Sequence, residues 1–248
     1  MIPKIIHYCW LSNDPVPQKL QKYMLTWKEK LPDYEFILWN FERFDKNSSK
    51  WVAQAFDNKK YAFAADYIRL YAVYNYGGFY MDMDIEVLKS FDNLLNNDIV
   101  VAYENEEKTG IEAGVFGAEK HNPIIKQCLS YYINRNFIKD DGSFDTLVLP
   151  KIMIKYCDNI EIKDSYFFTC KSYTTGIVLT KPYSYTIHNF AGSWLNEDDK
   201  KSNSFRHKVY AKLGINILSK TICRIYNFGR MIQKEGFKNT ILFYKNKK

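Results

Sequence analysis

The stretch from Tyr61 to Val87, YAFAADYIRLYAVYNYGGFYMDMDIEV, constrains this chain more than any other. Residues 62–76 hold no Pro or Gly and are rich in Ala, Leu and aromatics, which predicts a mostly buried helix. Asp66 and Arg69, three apart, fall on one face of it. Gly77 and Gly78 end the helix, and Phe79–Tyr80–Met81 reads as a short strand. Asp82 and Asp84 follow, with Met83 between them. In extended chain, residues i and i+2 point the same way, so both carboxylates are expected to face one point. Acids so placed repel unless a cation sits between them. Oxygen ligands suit Mg²⁺ or Mn²⁺. A lone pair of acids spaced this way is ordinarily a solvated turn. Here FYM precedes the acids and Ile85 and Val87 follow them, and such an apolar setting favours a cleft site.

The rest of the first two hundred residues frames that stretch. Lys4–Trp10 reads as a buried strand, Gln18–Lys30 as a helix closed before Pro32, and Tyr34–Trp39 as a second strand. Strand, helix, strand opens an α/β sheet with parallel strands. Ligands bind such sheets at the carboxyl ends of strands, and Trp10 lies at one. His7, inside the first strand, reads as a hydrogen-bonded core histidine rather than a site residue. Residues 40–58 suit a short helix and a loop, and Ile99–Tyr103 another strand. Residues 111–118 form a small, apolar stretch in which Gly114 and Gly117 mark either close ligand approach or simple bulges. Residues 124–135 read as a helix, and 146–156 as one interrupted early by Pro150.

Three features of the 61–87 stretch occur in order: A-x-D-x-x-R, Y-x-x-G-G-x-Y and D-x-D. Together they resemble the DXD region of glycosyltransferase family 32, which includes bacterial capsule and lipopolysaccharide sugar transferases and, more distantly, the clostridial glucosylating toxins. Two further segments resemble that family, IPKIIHYCW at the start and HNFAGSW over 188–194. The resemblance implies a GT-A-type, Rossmann-like nucleotide-sugar-binding fold over residues 1–199. It implies sugar transfer from a UDP- or GDP-linked donor to a saccharide or lipid-linked saccharide acceptor, with retention of anomeric configuration. By the same resemblance, Asp82, Asp84 and His188 would hold Mn²⁺ or Mg²⁺, and Arg69 would contact diphosphate or sugar oxygens. Asp66 would accept from donor-sugar hydroxyls, and Trp10, Tyr80, Ser193 and Trp194 would line the donor. Core packing is the competing reading for Tyr80, and an exposed salt bridge on a helix surface is that for Asp66 with Arg69.

Charge is unevenly spread. The chain carries +7 overall, but from Lys200 onward thirteen Lys and Arg face one acid, Glu235. That is +12 for the tail and −5 for residues 1–199. The tail shows Val209, Leu213 and Ile217 at four-residue steps, continued by Leu218, Ile222 and Ile225, with Lys208, Lys212, Lys220 and Arg224 also helically spaced. Residues 200–248 are therefore expected to form a basic amphipathic helical appendage, broken at Gly214 and Gly229, that lies on an anionic membrane or packs on the catalytic domain. Nucleic acid is not expected, since no recognition motif accompanies the charge.

No secretory signal is apparent at MIPKIIHYCW, no run of 18 apolar residues occurs, and five scattered cysteines lack C-x-x-C pairing. These point to a cytoplasmic protein, and the basic tail to one peripheral on the inner face of the plasma membrane. Abundant Lys, Asn, Ile and Tyr suggests an AT-rich bacterial genome, hence a surface-polysaccharide acceptor. Rival readings come from other classes. DMDIEV faintly resembles the nucleophile motif of haloacid-dehalogenase phosphatases, though eighty residues precede it here. A glycoside hydrolase needs carboxylates across a sugar, not side by side. A non-catalytic sugar-binding protein would bind without turnover.

Overall fold

A computed structural model describes residues 1–12, 14–192 and 197–245. In chain order the described elements are β1 (Ile5–Cys9), α1 (Gln18–Lys30), β2 (Glu35–Trp39), α2 (Lys50–Asp57), α3 (Tyr61–Tyr76), β3 (Gly78–Met81) and β4 (Ile85–Val87). There follow β5 (Ile99–Ala102), β6 (Val115–Ala118), α4 (Pro123–Ser130), α5 (Leu149–Met153), β7 (Ile162–Lys163), α6 (Ser165–Phe168) and β8 (Thr186–His188). The last three are α7 (Glu197–Leu213), α8 (Ile217–Glu235) and α9 (Phe237–Lys245). Two compact units result: Met1–Lys171 with Val178–Trp194, and Ser172–Ile177 with Leu195–Lys248.

The first unit is built on a six-stranded sheet ordered β2-β1-β3-β6-β5-β7, with β4 and β8 pairing separately. β1 runs parallel to both β2 and β3, as the opening strand-helix-strand pattern predicts. The sheet is mixed rather than wholly parallel, however, because β6 runs antiparallel to β3 and β5. A parallel neighbour needs a long crossover, usually helical, on one face of the sheet. The chain between β3 and β6 runs through β4 and β5 with no α-helix to carry a parallel crossover, and β6 lies antiparallel between β3 and β5.

Period-two alternation divides the strands between two cores. Ile6, Phe79, Met81 and Val115 pack with Trp27 of α1 and with Phe91 and Phe168 on one side. Tyr80 and Phe116 pack with Trp39, Trp51, Ile68 and Phe137 on the other, under α2 and α3. α3 is apolar nearly all round, and its buried residues include Ala64, Ile68, Leu70 and Val73. Gly77 closes it at φ 69°, a conformation costly for any other residue, and its N–H caps the Val73 carbonyl.

His7 is fully buried. Its Nε2 lies 2.8 Å from the Gly77 carbonyl, and Trp39 Nε1 donates to its Nδ1 at 3.0 Å. The core reading of His7 therefore holds. Pro150 opens α5 in its first turn rather than interrupting a longer helix, since proline fits that position without losing a hydrogen bond.

In the second unit, Gly214 separates α7 from α8, but Gly229 lies inside α8 and the next break falls at Gly236. The stripe read across Leu213 and Ile217 is thus divided between two helices. Asn216 caps α8 through a reciprocal pair of bonds with Ser219. Phe205 of α7 stacks on Tyr226 of α8 at 3.8 Å, and Arg230 bonds Ser202 and Asp198. Among the described residues, no helix is long and apolar enough to cross a membrane.

Candidate active site

β3 delivers Asp82 to the rim of the sheet, and the chain then turns. The Ile85 N–H donates to the Asp82 carbonyl at 3.1 Å, closing a tight turn through Met83 and Asp84. The two carboxylates therefore converge by a turn, not by the alternation of extended chain that the spacing predicts. The turn is not a solvated one. Met83 is buried, and the Asp84 side chain retains 12% exposure.

Asp82 is held from the sheet side. Tyr80, buried and two residues earlier, donates its hydroxyl to Asp82 Oδ1 at 2.7 Å. Tyr80 thus serves the core and the site at once. Arg69 reaches the same carboxylate, Nη2 to Oδ1 at 3.3 Å and Nη1 to Oδ2 at 3.4 Å. It also lies 3.5 Å from Asp66 Oδ1, donates to the Ala113 carbonyl at 2.7 Å and rests over the Tyr80 ring at 4.5 Å. Asp66 and Arg69 are both buried, which overturns the reading of an exposed salt bridge on a helix surface. Burial pushes the Asp66 carboxyl up to about 6 in spite of Arg69. The Arg69 Nε atom and the Tyr132 hydroxyl are buried without a hydrogen-bond partner.

Asp84 is held from elsewhere. Its carbonyl accepts the Asn189 N–H at 3.0 Å, and its Oδ2 accepts the Ala191 N–H at 2.6 Å. β8 pairs antiparallel with β4 and sets His188 opposite Ile85. His188 Nε2 thereby lies 3.5 Å from Asp84 Oδ1. Its other nitrogen, Nδ1, is 3.0 and 3.1 Å from the two oxygens of Glu112. Glu112 is 2% exposed and also accepts from the Thr169 hydroxyl and the Gly114 N–H, each at 2.7 Å. Burial alone would raise the Glu112 pKa, but His188 and these donors hold it below its usual value. Burial would likewise lower that of His188, but Glu112, Asp84 and Asp82 outweigh it and push the imidazole up to about 10.

One ligand atom each from Asp82, Asp84 and His188 lie within 4.8 Å of one another. This donor set fits a divalent cation. It offers two carboxylates and an imidazole whose second nitrogen is oriented by a buried carboxylate, the arrangement that fixes ligating histidines elsewhere.

Several residues of the site are silent in sequence. Glu112 sits in a stretch that reads as small and apolar, and its partner His188 is 76 residues away. Gly114 has no room for a side chain: a Cβ there would lie 2.8 Å from His188 Cε1 and 2.9 Å from Glu112 Oε1. A Cβ on Gly117 would strike the Phe79 ring, so its role is core packing. Lys171 donates to the Asn189 carbonyl at 2.8 Å and is half-buried. Its pKa is lowered by burial first and then by Lys19, with Asp84 opposing. Trp10 follows β1, half-exposed, its indole N–H on the Asp14 carbonyl at 2.8 Å. Ser193 and Trp194 lie outside the described residues.

Residues 17–101 match the family described as "Glycosyltransferase sugar-binding region containing DXD motif". The chain is 32% identical over 130 residues to inositol phosphoceramide mannosyltransferase 3 of Schizosaccharomyces pombe, covering 51% of this chain and 36% of that protein. It is 31% identical over 142 residues to a mannosyl phosphorylinositol ceramide synthase of Saccharomyces cerevisiae, covering 54% and 37%. An uncharacterized glycosyltransferase of Acanthamoeba polyphaga mimivirus is 26% identical over 78% of this chain and 84% of its own length. The chain thus spans little more than a third of the length of these two yeast relatives. Among solved structures, the PaToxG glycosyltransferase superposes with a TM-score of 0.53 at 22% identity, covering 63% of this chain and 69% of that one. The shared fold is the GT-A type that the motifs imply.

Proposed function

We propose, from the match of residues 17–101 to the glycosyltransferase family with a DXD-containing sugar-binding region, family 32, that this chain transfers a sugar from a nucleotide-sugar to an acceptor hydroxyl. The observation that carries the reading is the convergence of Asp82, Asp84 and His188 on one point at the end of β3. In transfer from a nucleotide-sugar, a nucleoside diphosphate departs with developing negative charge. A bound divalent cation supplies the counter-charge for that departure. Asp82, Asp84 and His188 would hold it, and the mixed oxygen and nitrogen set favours Mn²⁺ over Mg²⁺, which prefers an all-oxygen shell.

The remaining roles belong to the chain's own side chains. Glu112 orients His188 so that Nε2 faces the acids. Arg69 offsets the charge of Asp66 and Asp82 and, with the Tyr80 hydroxyl, fixes the Asp82 carboxylate. These contacts support a positioning role for Arg69 on Asp82, beside the contact to diphosphate or sugar oxygens that the resemblance implies. Lys171, close enough to Asp84 to feel its charge, is the cation proposed to face the diphosphate. Asp66 is proposed to accept from donor-sugar hydroxyls, and Trp10, Ser193 and Trp194 to line the donor.

The names of the yeast relatives make mannosyl donors the first to try. Retention of configuration, a bacterial surface-polysaccharide acceptor and action at the cytoplasmic face of the membrane complete the proposal. They rest on the resemblance and on composition. The test is a screen of UDP- and GDP-sugars with Mn²⁺, following nucleoside diphosphate release. Release from one donor, abolished by EDTA and by Asp84→Ala, is expected. Silence with every donor, together with no metal-dependent nucleotide binding, would overturn the reading. Phosphate release from simple phosphomonoesters would revive the phosphatase alternative.

A further inference from the structure

α8 is amphipathic the wrong way round for a helix that only packs on its own unit. At 100° per residue, Ser219, Cys223, Tyr226 and Arg230 share one face. That face is the inward one: Ser219 and Cys223 are buried, Tyr226 stacks on Phe205, and Arg230 bonds Ser202 and Asp198. The opposite arc carries Ile217, Leu218 and Ile225, at 87%, 61% and 66% exposure, and Ile232 falls within it. Helices of soluble proteins turn such a stripe toward a core. Here it faces out, and within α8 it is joined by exposed Lys220 and Arg224 on one flank, with no acid before Glu235.

We propose that this outward face of α8 is an interfacial anchor that lies on an anionic lipid surface. The chemistry selects the occupant. An apolar arc flanked by cations matches acyl chains beneath anionic headgroups, the pattern of helices lying in a membrane interface. Exposed Lys208 and Lys212 of α7 add to the same positive field. A second copy of the same face would set like charges against each other, which disfavours self-pairing. The inference stands apart from the sugar-transfer reading, because its readout is binding to lipid and not turnover.

The experiment is co-sedimentation of the full chain with vesicles of phosphatidylcholine alone and with about a third phosphatidylglycerol. Binding is expected to the anionic vesicles only, falling as salt rises. Lys220→Glu with Arg224→Glu should weaken it by about tenfold or more, from the contribution of each basic residue near the surface. Leu218→Ser with Ile225→Ser should weaken it comparably with every charge kept. All four side chains are exposed, so the variants should keep the circular-dichroism spectrum and melting temperature of the parent. Failure to bind anionic vesicles would overturn the proposal. So would binding that the serine pair leaves unchanged, or light scattering showing a dimer that the serine pair dissociates.

Discussion

Asp82 and Asp84 are one residue apart on the same turn, yet their surroundings have little in common. Asp82 belongs to the half built by the sheet and α3, where side chains hold it: a guanidinium, a phenol, and behind them the buried Asp66. Asp84 belongs to the half built by the return of the chain through β8, where two backbone N–H groups and an imidazole hold it. The first half is a buried charge balance and is coupled to folding. The second gathers a carboxylate, an imidazole and the buried carboxylate behind it, and altering it is expected to leave the fold standing. A single D-x-D motif thus joins a structural centre to a chemical one.

The comparison breaks most sharply at Asp84→Asn. Asparagine keeps an acceptor for the Ala191 N–H but removes a charged ligand. Metal-dependent donor turnover should fall by roughly a thousandfold, of the order seen when one strong electrostatic contact is lost. The melting temperature should change little. Arg69→Met should do the reverse first. It leaves Asp66 and Asp82 buried without a cation, and denaturant titration should show a loss of about 3 kcal/mol or more. If Arg69→Met keeps its stability, the sheet half is not the charge balance described here.

Glu112→Gln sharpens the second half. Metal affinity should drop by about 10- to 100-fold, the usual result of removing a carboxylate behind a ligating histidine. Turnover should recover when the metal is raised to saturation. A loss that added metal cannot restore would mean that Glu112 acts otherwise than through His188.

The smallest effect concerns the other histidine. His7 sits between the Gly77 carbonyl, which takes its Nε2 proton, and the Trp39 N–H, which occupies Nδ1. A second proton would set donor against donor. Burial therefore lowers its pKa to about 4, from an ordinary 6.5. The unfolded chain takes up that proton first, so stability is lost as pH falls below 6.5. Between pH 7 and 5 the parent should lose roughly 2 kcal/mol that His7→Gln does not. His188, ringed by carboxylates, is displaced the opposite way.

What the sequence discloses follows the range of the forces involved. α1 was legible to the residue, because Pro17 before it and Leu31–Pro32 after it are local punctuation. The burial of α3 was legible from its all-round apolar surface. Convergence of the two acids was expected correctly for the wrong reason, since a turn hydrogen bond does what alternation was thought to do. Glu112 was invisible because its meaning is set by Thr169, Gly114 and His188, which only the fold brings near. His188 itself was accessible only through family resemblance. In the tail, Gly214 and Gly229 look alike in sequence. Only Gly214, at φ 64°, ends a helix, and Gly236 ends the next by giving its N–H to Ile232.

The grip of Ala191 on Asp84 spans 107 residues, and it sets a timetable. As the chain leaves the ribosome, the DMD turn emerges early, but the β8 return that completes its surroundings comes last in the unit. At roughly 5–20 residues per second, the acids wait about 5 to 20 s for His188 and Ala191. A chain stopped in that interval would carry both acids but neither His188 nor the Ala191 N–H that grips Asp84.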